Sequence, residues 1–279
     1  MKIAVIGLGL IGGSFAKATK QRTSHELYGY DLDNEVQLLA RLSGAMDAPL
    51  TDEILPECSL VIVALRPKAA ENWVEAHKTQ LGSGNCLVVD ICGVKRGVTD
   101  NIAKCAKENG FRYIGGHPMA GKEVGGFVNS SDGLYDGASM ILTPDETVDM
   151  KTLEMLKNYF LDIGFSNLTF TNPTDHDRII AYTSQLAHVV SGAYVKSPTA
   201  QERRGFSAGS FRDMTRVARL DEDMWTELML ANADFLAEEL HTLIDNLQEY
   251  LNAIEAKDAA ALRECLRSGK IAKAGAGGN

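Results

Sequence analysis

Short apolar runs alternate with longer amphipathic stretches through the first 172 residues of the chain. The runs are rich in β-branched residues and predict strands at Lys2–Ile6, Glu26–Asp31, Leu60–Leu65, Cys86–Ile91, Arg112–Gly116, Ser139–Leu142 and Asn167–Thr171. Several runs are apolar at consecutive positions, as in strands that helices cover on both faces. Strands that alternate with helices predict a doubly wound, mostly parallel sheet of the α/β class over residues 1–172.

The pattern changes after residue 172, where the β-branched runs give way to long helical periodicities. Thr174-Asp175 is the expected N-cap of the first of these helices, and residues 173–279 are predicted to form a second, all-α domain. Its last periodicity, Asp221–Leu266, carries one long apolar stripe. Such a stripe is either core within one subunit or the seam of a homodimer, and we favour the homodimer. The Gly-rich tail, Ala272–Asn279, is expected to be disordered.

Composition and charge disfavour several classes of protein. The 279 residues include 28 basic and 37 acidic side chains, and the net charge of -9 disfavours binding to nucleic acid. The apolar runs are far shorter than the roughly 18 residues that a membrane span needs. The 5 cysteines are an odd number without metal-binding or redox spacing, so we expect reduced thiols in a cytoplasmic protein and no bound metal.

A glycine-rich loop, Gly7-Leu8-Gly9-Leu10-Ile11-Gly12, follows the first predicted strand and opens a helix that is expected to reach Lys20. In this context Gly-x-Gly-x-x-Gly is the dinucleotide-binding pattern of a Rossmann domain. Gly7 suits the tight turn, Gly9 the approach of the backbone to a pyrophosphate, and Gly12 the packing of helix on strand. The pyrophosphate would lie at the helix N-terminus, where free N–H groups and the helix dipole favour negative charge.

Asp31 ends the second predicted strand, close to the expected offset of about 20 residues from the glycine loop. Its carboxylate can accept hydrogen bonds from both ribose hydroxyls of a dinucleotide. It would repel a 2′-phosphate, and no arginine follows at once in Asp31-Leu32-Asp33-Asn34, so the predicted cofactor is NAD rather than NADP. A solvated aspartate beside a Gly-rich turn is the simpler alternative.

His117 follows the predicted strand Arg112–Gly116 and lies in a loop that contains glycines and a proline. Ligands of doubly wound sheets bind beyond the carboxyl ends of the strands. His117 is therefore a candidate general base for a hydroxyl group, because its ordinary pKa suits proton transfer near neutral pH. A histidine in a turn without a chemical role is the alternative interpretation.

The predicted helical domain contributes a second set of candidates. His188 lies one turn after Ser184 on an apolar helix, a position at which a buried core histidine is the commoner finding. Arg212 and Arg216 are four residues apart and share one side if their segment is helical. A guanidinium matches a carboxylate with two parallel hydrogen bonds, although a solvated basic face is equally consistent with this pattern.

These motifs together resemble the prephenate and arogenate dehydrogenases of tyrosine biosynthesis, in order and spacing, across almost the whole chain. The glycine loop with the preceding Val5-Ile6 is similar to the opening of that family. Gly116-His117-Pro118-Met119-Ala120-Gly121 is similar to its catalytic-histidine loop. His176-Asp177, Ser184 to His188 and Phe211 to Arg216 follow as the substrate-side motifs of the family do.

The resemblance implies NAD-dependent oxidative decarboxylation of a cyclohexadienol. Hydride would leave ring C4 for the nicotinamide while the ring carboxylate departs as carbon dioxide. His117 would draw off the proton of the C4 hydroxyl, His188 would contact the substrate, and Arg216 would hold a carboxylate. The other motif positions implied are the substrate-binding residues Arg212 and Gln185 and the supporting residues Asp177, Asp213 and Ser184.

Two positions depart from the family's pattern. Asp90-Ile91-Cys92-Gly93-Val94-Lys95 stands where many members have Asp-x-x-Ser-Val-Lys, so Gly93 takes the place of a serine that touches the substrate hydroxyl. Ser184-Gln185-Leu186-Ala187-His188 stands where the family has Ser-His-Leu-Pro-His, so Gln185 replaces a titratable histidine. Neither change affects hydride transfer itself.

We interpret the chain as a Rossmann domain, residues 1–172, followed by a helical dimerisation domain. The protein as a whole is predicted to oxidise prephenate to 4-hydroxyphenylpyruvate with NAD. Oxidation of arogenate to tyrosine is the nearest alternative, since the two substrates differ only in a keto or amino group. A β-hydroxyacid dehydrogenase or imine reductase would share the cofactor loop but would not account for Gly116–Gly121. An NAD-binding sensor without catalysis is the remaining alternative, and it is motivated by Gly93.

Overall fold

Eight strands form a single sheet across the first part of the chain. The computed structural model describes residues 1–84, 86–206 and 209–276. The strands are β1 (Lys2–Ile6), β2 (Glu26–Tyr30), β3 (Ala48–Pro49), β4 (Leu60–Val63), β5 (Leu87–Asp90), β6 (Arg112–Pro118), β7 (Ser139–Thr143) and β8 (Asn167–Phe170). Their order is β3-β2-β1-β4-β5-β6-β7-β8, and all neighbours are parallel except β6 and β7. The predicted doubly wound, mostly parallel sheet is confirmed.

Helices cover the sheet and then form the remainder of the chain. Those that connect or follow the strands are α1 (Leu10–Arg22), α2 (Asn34–Leu42), α3 (Pro67–Ala76), α4 (Lys78–Ser83), α5 (Arg96–Asn109) and α6 (Met150–Asp162). The helical part contains α7 (Pro173–Ile180), α8 (Ala187–Val195), α9 (Gly209–Thr215), α10 (Glu222–Ala231), α11 (Ala233–Glu255) and α12 (Ala259–Ala276). A π-helical segment, Ala181–Leu186, joins α7 to α8, and a 3-10 turn, Arg216–Ala218, follows α9. The predicted all-α second part is confirmed.

The core has two layers because successive side chains of a strand point to opposite faces of the sheet. Ile3 and Val5 of β1 pack on one face with Phe15 of α1 and Phe160 of α6. Ala4 and Ile6 of the same strand pack on the other face in a second apolar cluster, together with residues of α3, α4 and α5. All residues of β1 after Lys2 are therefore buried, and the strand has no polar face.

Three local predictions differ from the structure. The two-residue strand β3 was not predicted, since Ala48–Pro49 is too short for a periodic pattern. The first helix continues past Lys20 to Arg22. The N-cap of α7 is Asn172, whose side chain accepts a hydrogen bond from Asp175 N, and not Thr174-Asp175, because Pro173 occupies the first helical position.

The long periodicity Asp221–Leu266 is divided among α10, α11 and α12 instead of forming one continuous pattern. Part of its apolar stripe is open to solvent in the single chain: Leu247 is 57% and Ile254 57% exposed. The predicted disorder of the tail is wrong for Ala272–Ala276, which continue α12. Residues 277–279 lie outside the described residues.

Candidate active site

The glycine loop connects β1 to α1, and at two of its positions there is no room for a side chain. Gly7 has φ +85°, and a Cβ there would lie 2.5 Å from the carbonyl oxygen of Ala64. A Cβ on Gly12 would lie 1.8 Å from the carbonyl oxygen of Gly7. In contrast, a Cβ on Gly9, the N-cap of α1, would meet no atom within 4 Å. The space above Gly9 and the free N–H groups of the first turn fit a pyrophosphate.

Asp31 lies at the end of β2 and is tied to the glycine loop. Its Oδ2 accepts a hydrogen bond of 2.7 Å from Leu8 N, and its Oδ1 accepts one of 3.0 Å from Asp33 N. The carboxylate is therefore held at a fixed distance from the loop before any ligand binds. A carboxylate oxygen has two lone pairs, so both oxygens can still accept hydrogen bonds from ribose hydroxyls.

His117 heads a chain of hydrogen bonds that ends on a buried carboxylate. Its Nδ1 lies 2.9 Å from Nε2 of His176, and Nδ1 of His176 lies 2.7 Å from Oδ1 of Asp177. His117 belongs to β6, opposite Ile141 of β7, and not to the loop predicted after Gly116. The strand extends to Pro118 because β7 pairs with it as an antiparallel neighbour.

The order of donors and acceptors determines which nitrogen of His117 is free. The Asp177 carboxylate only accepts, so His176 donates from Nδ1 and, when neutral, accepts at Nε2. His117 must then donate from Nδ1, which leaves the lone pair on its Nε2. That nitrogen lies on the side of Gly93, where a Cβ would be 3.9 Å away.

The surroundings keep both imidazoles neutral. Burial lowers the pKa of His117 well below its ordinary value, and the neighbouring His176 and Lys95 lower it further. Burial also lowers the pKa of His176, although Asp177 opposes this effect. For Asp177 burial would raise the pKa, but hydrogen bonds from His176 and from backbone N–H groups outweigh it and lower the pKa. A neutral His117 can accept a proton near neutral pH.

Asp177 is fixed by the start of α5 as well as by His176. Its Oδ1 accepts from Lys95 N at 2.7 Å, and its Oδ2 accepts from Arg96 N at 2.9 Å. Asn232 donates from Nδ2 to the carbonyl oxygen of Asp177 at 2.8 Å. Arg96 also contacts Asn232 and forms an ion pair with Asp234 that lowers the pKa of that carboxyl to about 2. The sheet, α7 and α11 therefore meet at one carboxylate.

Arg216 connects the helical part to the segment that follows β6. Its Nη1 donates a hydrogen bond of 2.7 Å to Oε1 of Glu123, in the segment that follows β6. Next to it in sequence, the Val217 carbonyl oxygen accepts a hydrogen bond of 2.8 Å from Nδ1 of His188, whose ring lies 4.0 Å from that of Trp225. The free Nε2 of His188 is then an acceptor.

The remaining predicted site residues are either exposed or engaged by other residues of the helical part. Arg212 is 82% exposed and lies 3.7 Å from Oδ1 of Asp213, itself 75% exposed. Helix α9 ends before Arg216, so the two arginines do not share one regular helix. Gln185 is buried, and its amide is engaged by Leu228 O at 3.1 Å and by Asn232 at 2.9 Å. Ser184 lies one turn before His188 on the π-helical segment.

Sequence reasoning missed the contacts that support His117. No role was predicted for His176, Asn232 or Lys95, although His176 and Lys95 lie within motifs that were singled out. Their partners are distant in sequence: 59 residues separate His117 from His176, and 82 separate Lys95 from Asp177. The adjacent acid in His176-Asp177 was the available signal, because a carboxylate commonly orients a histidine.

Two family models match the chain. The first, prephenate dehydrogenase, nucleotide-binding domain, matches residues 15–167, and the second, prephenate dehydrogenase, dimerization domain, matches residues 172–268. The chain belongs to the prephenate dehydrogenase family. The predicted family resemblance is confirmed, and the protein is a dehydrogenase of the prephenate/arogenate type.

Similar proteins of known type cover nearly the whole chain. A cyclohexadienyl dehydrogenase of Zymomonas mobilis is 31% identical over 97% of this chain and 94% of that protein. A prephenate dehydrogenase of Bacillus subtilis is 28% identical over 96% of this chain and 74% of that protein. The crystal structure of A. aeolicus prephenate dehydrogenase in complex with hydroxyphenyl propionate and NAD+ has a TM-score of 0.81 and 26% identity, covering 97% of this chain and 96% of that chain.

The nucleotide-binding domain and this likeness to a structure with NAD+ support the predicted cofactor, NAD. The geometry of Gly9 and Asp31 fits a dinucleotide independently. Within the described ranges, no helix is both long and apolar enough to cross a membrane. The same residues contain no group of three or more His, Cys, Asp or Glu side chains suited to a metal ion.

Proposed function

We propose that the protein oxidises prephenate with NAD, releasing carbon dioxide and forming 4-hydroxyphenylpyruvate and NADH, in tyrosine biosynthesis. The observation that carries the proposal is the hydrogen-bonded chain from Asp177 through His176 to His117. It leaves one neutral imidazole nitrogen, His117 Nε2, as a base at the carboxyl end of the sheet. A base at this place suits an alcohol whose oxidation must release a proton.

NAD, when bound along Gly7–Gly12 and Asp31, supplies the acceptor for the hydride from ring C4. His117 Nε2 accepts the C4 hydroxyl proton as the C–O bond gains double-bond character. The bond from the ring to its carboxylate then breaks, and its electrons make the ring aromatic. His117 returns the proton to the oxygen, which becomes the phenol hydroxyl, so the base is regenerated.

Asp177 and His176 assist by orientation. Asp177 holds His176, and His176 holds His117, so that positive charge on His117 in the transition state is stabilised through the chain. These polar groups are already oriented before the reaction and need not move during it. Such preorganisation is the usual source of electrostatic stabilisation in enzymes.

We propose that Arg216 and His188 bind the substrate. Arg216 has a permanent positive charge that solvent and a carboxylate can both reach, since its side chain is 65% exposed. His188 offers a hydrogen-bond acceptor fixed by the contact of its other nitrogen with Val217. Arg212, Asp213, Gln185 and Ser184 are better explained as surrounding structure, because their contacts lie within the helical part.

We further propose that the domain boundary lies at residues 172–173 and that the protein is a cytoplasmic homodimer joined through the helical part. The boundary is supported by the end of β8 at Phe170 and the start of α7 at Pro173. The homodimer is supported by the match to a dimerization domain and by the exposed apolar side chains of α11.

The reaction is tested by following NADH absorbance with prephenate and, separately, with arogenate. We expect turnover with prephenate and formation of 4-hydroxyphenylpyruvate and carbon dioxide in equal amounts. A higher kcat/KM with arogenate would replace the proposed substrate, and absence of NADH formation with both would refute the proposed reaction. NADP in place of NAD is the cofactor control, and we expect a lower kcat/KM because Asp31 repels a 2′-phosphate.

A further inference from the structure

A lysine is completely buried beneath the proposed active site. The side chains of Lys95 and Asp90 are both 0% exposed, and they form an ion pair. Lysine and aspartate are rarely buried to this extent, because both charges must leave water and the attraction between them compensates only in part. A buried ion pair contributes little net stability compared with apolar side chains of similar volume. Its presence here therefore calls for a reason other than stability.

The pair is enclosed by further hydrogen bonds. Besides Lys95 Nζ, Asp90 accepts from Cys92 N at 2.9 Å and from the Tyr113 hydroxyl at 2.6 Å. Asp90 therefore accepts hydrogen bonds from three donors, one of which is the Lys95 ammonium.

The aliphatic part of Lys95 lies against the strand that carries His117. Gly115 of β6 pairs with Asp90 of β5, and a Cβ on Gly115 would lie 3.2 Å from Lys95 Cδ and 2.4 Å from Thr143 Oγ1. A side chain at position 115 would therefore clash with Thr143 and press on Lys95. Positions two apart on a strand project to the same face, so Lys95 lies along the face from which His117 projects.

The backbone of Lys95 contacts the other end of the same hydrogen-bonded chain. Lys95 N donates 2.7 Å to Oδ1 of Asp177, the oxygen that also accepts from His176. One residue therefore contacts the supporting carboxylate through its N–H and approaches the strand of His117 through its side chain.

We propose that Lys95 is a positioning residue for His117: its N–H fixes Asp177, the carboxylate behind His176 and His117, and its buried side chain places a cation beneath the strand that carries His117. A fixed cation beside an imidazole opposes the uptake of a second positive charge, and low polarity strengthens this repulsion. Lys95 is among the groups that lower the pKa of both His117 and His176. The charged and titratable groups that act on His117 are His176 and Lys95, and those that act on His176 are Asp177, Lys95 and Asp90. Tyr113, Cys92 and Glu227 surround the Lys95–Asp90 pair itself.

The inference rests on the proposed role of His117, and its test has a readout that needs no turnover. The full-length protein without substrate is titrated by NMR of the His117 ring in the wild type, in Lys95→Met and in Lys95→Met/Asp90→Asn. The double variant removes a cation and an anion together, so its His117 pKa should change less than that of Lys95→Met. In Lys95→Met we expect the His117 pKa to rise by about half a unit to one unit, since the opposing positive charge is lost while Asp90 remains.

The matched control is Tyr113→Phe, which removes one hydrogen bond to Asp90 but no charge. We expect its His117 pKa to remain within about 0.2 units of the wild-type value. The acid limb of kcat/KM should move upward with the His117 pKa in the lysine variants. A lysine that serves only as structure would reduce kcat at every pH and leave the His117 pKa unchanged, which would overturn the inference.

The outcome is separable from that of the proposed reaction. If His117→Asn retains turnover, His117 is not the base, whatever the NMR titration of the lysine variants shows. If His117→Asn is inactive while Lys95→Met leaves the His117 pKa unchanged, the reaction stands and the role of Lys95 is refuted.

Discussion

Two parts of the candidate site handle charge in opposite ways. The chain from Asp177 through His176 to His117 is embedded where the sheet meets α7, and Asp177 is 0% and His176 2% exposed. The ion pair of Arg216 with Glu123 lies at the surface, where the Arg216 side chain is 65% exposed. The groups that support the proposed base are thus excluded from water, whereas the proposed substrate contact meets water.

The difference follows from what each task demands. A base must keep one orientation and one protonation state through the reaction, which buried and mutually bonded groups provide. A residue that attracts a charged substrate must be reachable from solution. Its long-range attraction depends on its charge and does not need a fixed orientation. Burial of Arg216 would strengthen its contacts but would close the approach of a carboxylate.

The largest effect is expected from His117→Asn, which removes the free ring nitrogen. We expect kcat to fall by about 10²–10⁴-fold, the usual contribution of a general acid–base group. NAD binding, measured by fluorescence titration, should be unchanged, because Gly7–Gly12 and Asp31 do not contact His117. A variant with turnover close to wild type would contradict the role of His117 as the base.

The next largest effect is expected from Asp177→Asn, which keeps the shape but loses the carboxylate that orients His176. We expect a loss of about 10–100-fold in kcat, typical of carboxylates behind a histidine. Asp175→Asn on the same helix is the matched control, since Asp175 is exposed and bonds to Asn172. Equal losses in the two variants would mean that the effect comes from α7 as a whole.

A smaller effect, confined to substrate binding, is expected from Arg216→Ala. We expect KM for prephenate to rise about tenfold, equivalent to about 1.4 kcal/mol, with kcat within about twofold of wild type. Arg212→Ala is the control in the same segment, and its KM should stay within about twofold. A normal KM for the Arg216 variant, or an equal rise for both, would argue against a specific carboxylate contact.

The last prediction is a pH dependence of stability, which is separate from the effects on activity. The pKa values of His117 and His176 are lowered in the folded protein, so below the ordinary histidine pKa, about 6.5, the unfolded chain binds more protons. Stability should therefore be complete above pH 6.5 and fall as the pH decreases below it, by at most about 1.4 kcal/mol per pH unit for each histidine. Urea unfolding at pH 7.5 and 5.5 measures this, and His176→Asn should show a smaller decrease.

The sheet and the cofactor loop were predictable because their signals are local. Each strand is a run of neighbouring residues, and Gly7, Gly9 and Gly12 lie within one short loop at the start of α1. The two-residue strand β3 carries no such signal. His117 was predicted in a loop because the pairing of β6 with β7, which extends the strand, depends on residues more than 20 positions away.

The candidate site was predictable only in part for the same reason. His117 was found from its place after a strand, but its support comes from side chains that the fold brings together. Gln185 shows the opposite case: its polar amide resembles a ligand-binding group in sequence, yet Asn232 and Leu228 engage it in the interior. Whether a polar side chain faces a ligand or another part of the protein is decided by tertiary contacts.

Asp177 joins the two halves of the protein at the same atoms that support His117. Its oxygens bind the first N–H groups of α5, while its own helix begins the second half. A chimera that combines the first half of this chain with the second half of a relative must therefore preserve this junction to preserve activity. The pair of Arg216 and Glu123 is exposed and sets no comparable limit on such a chimera.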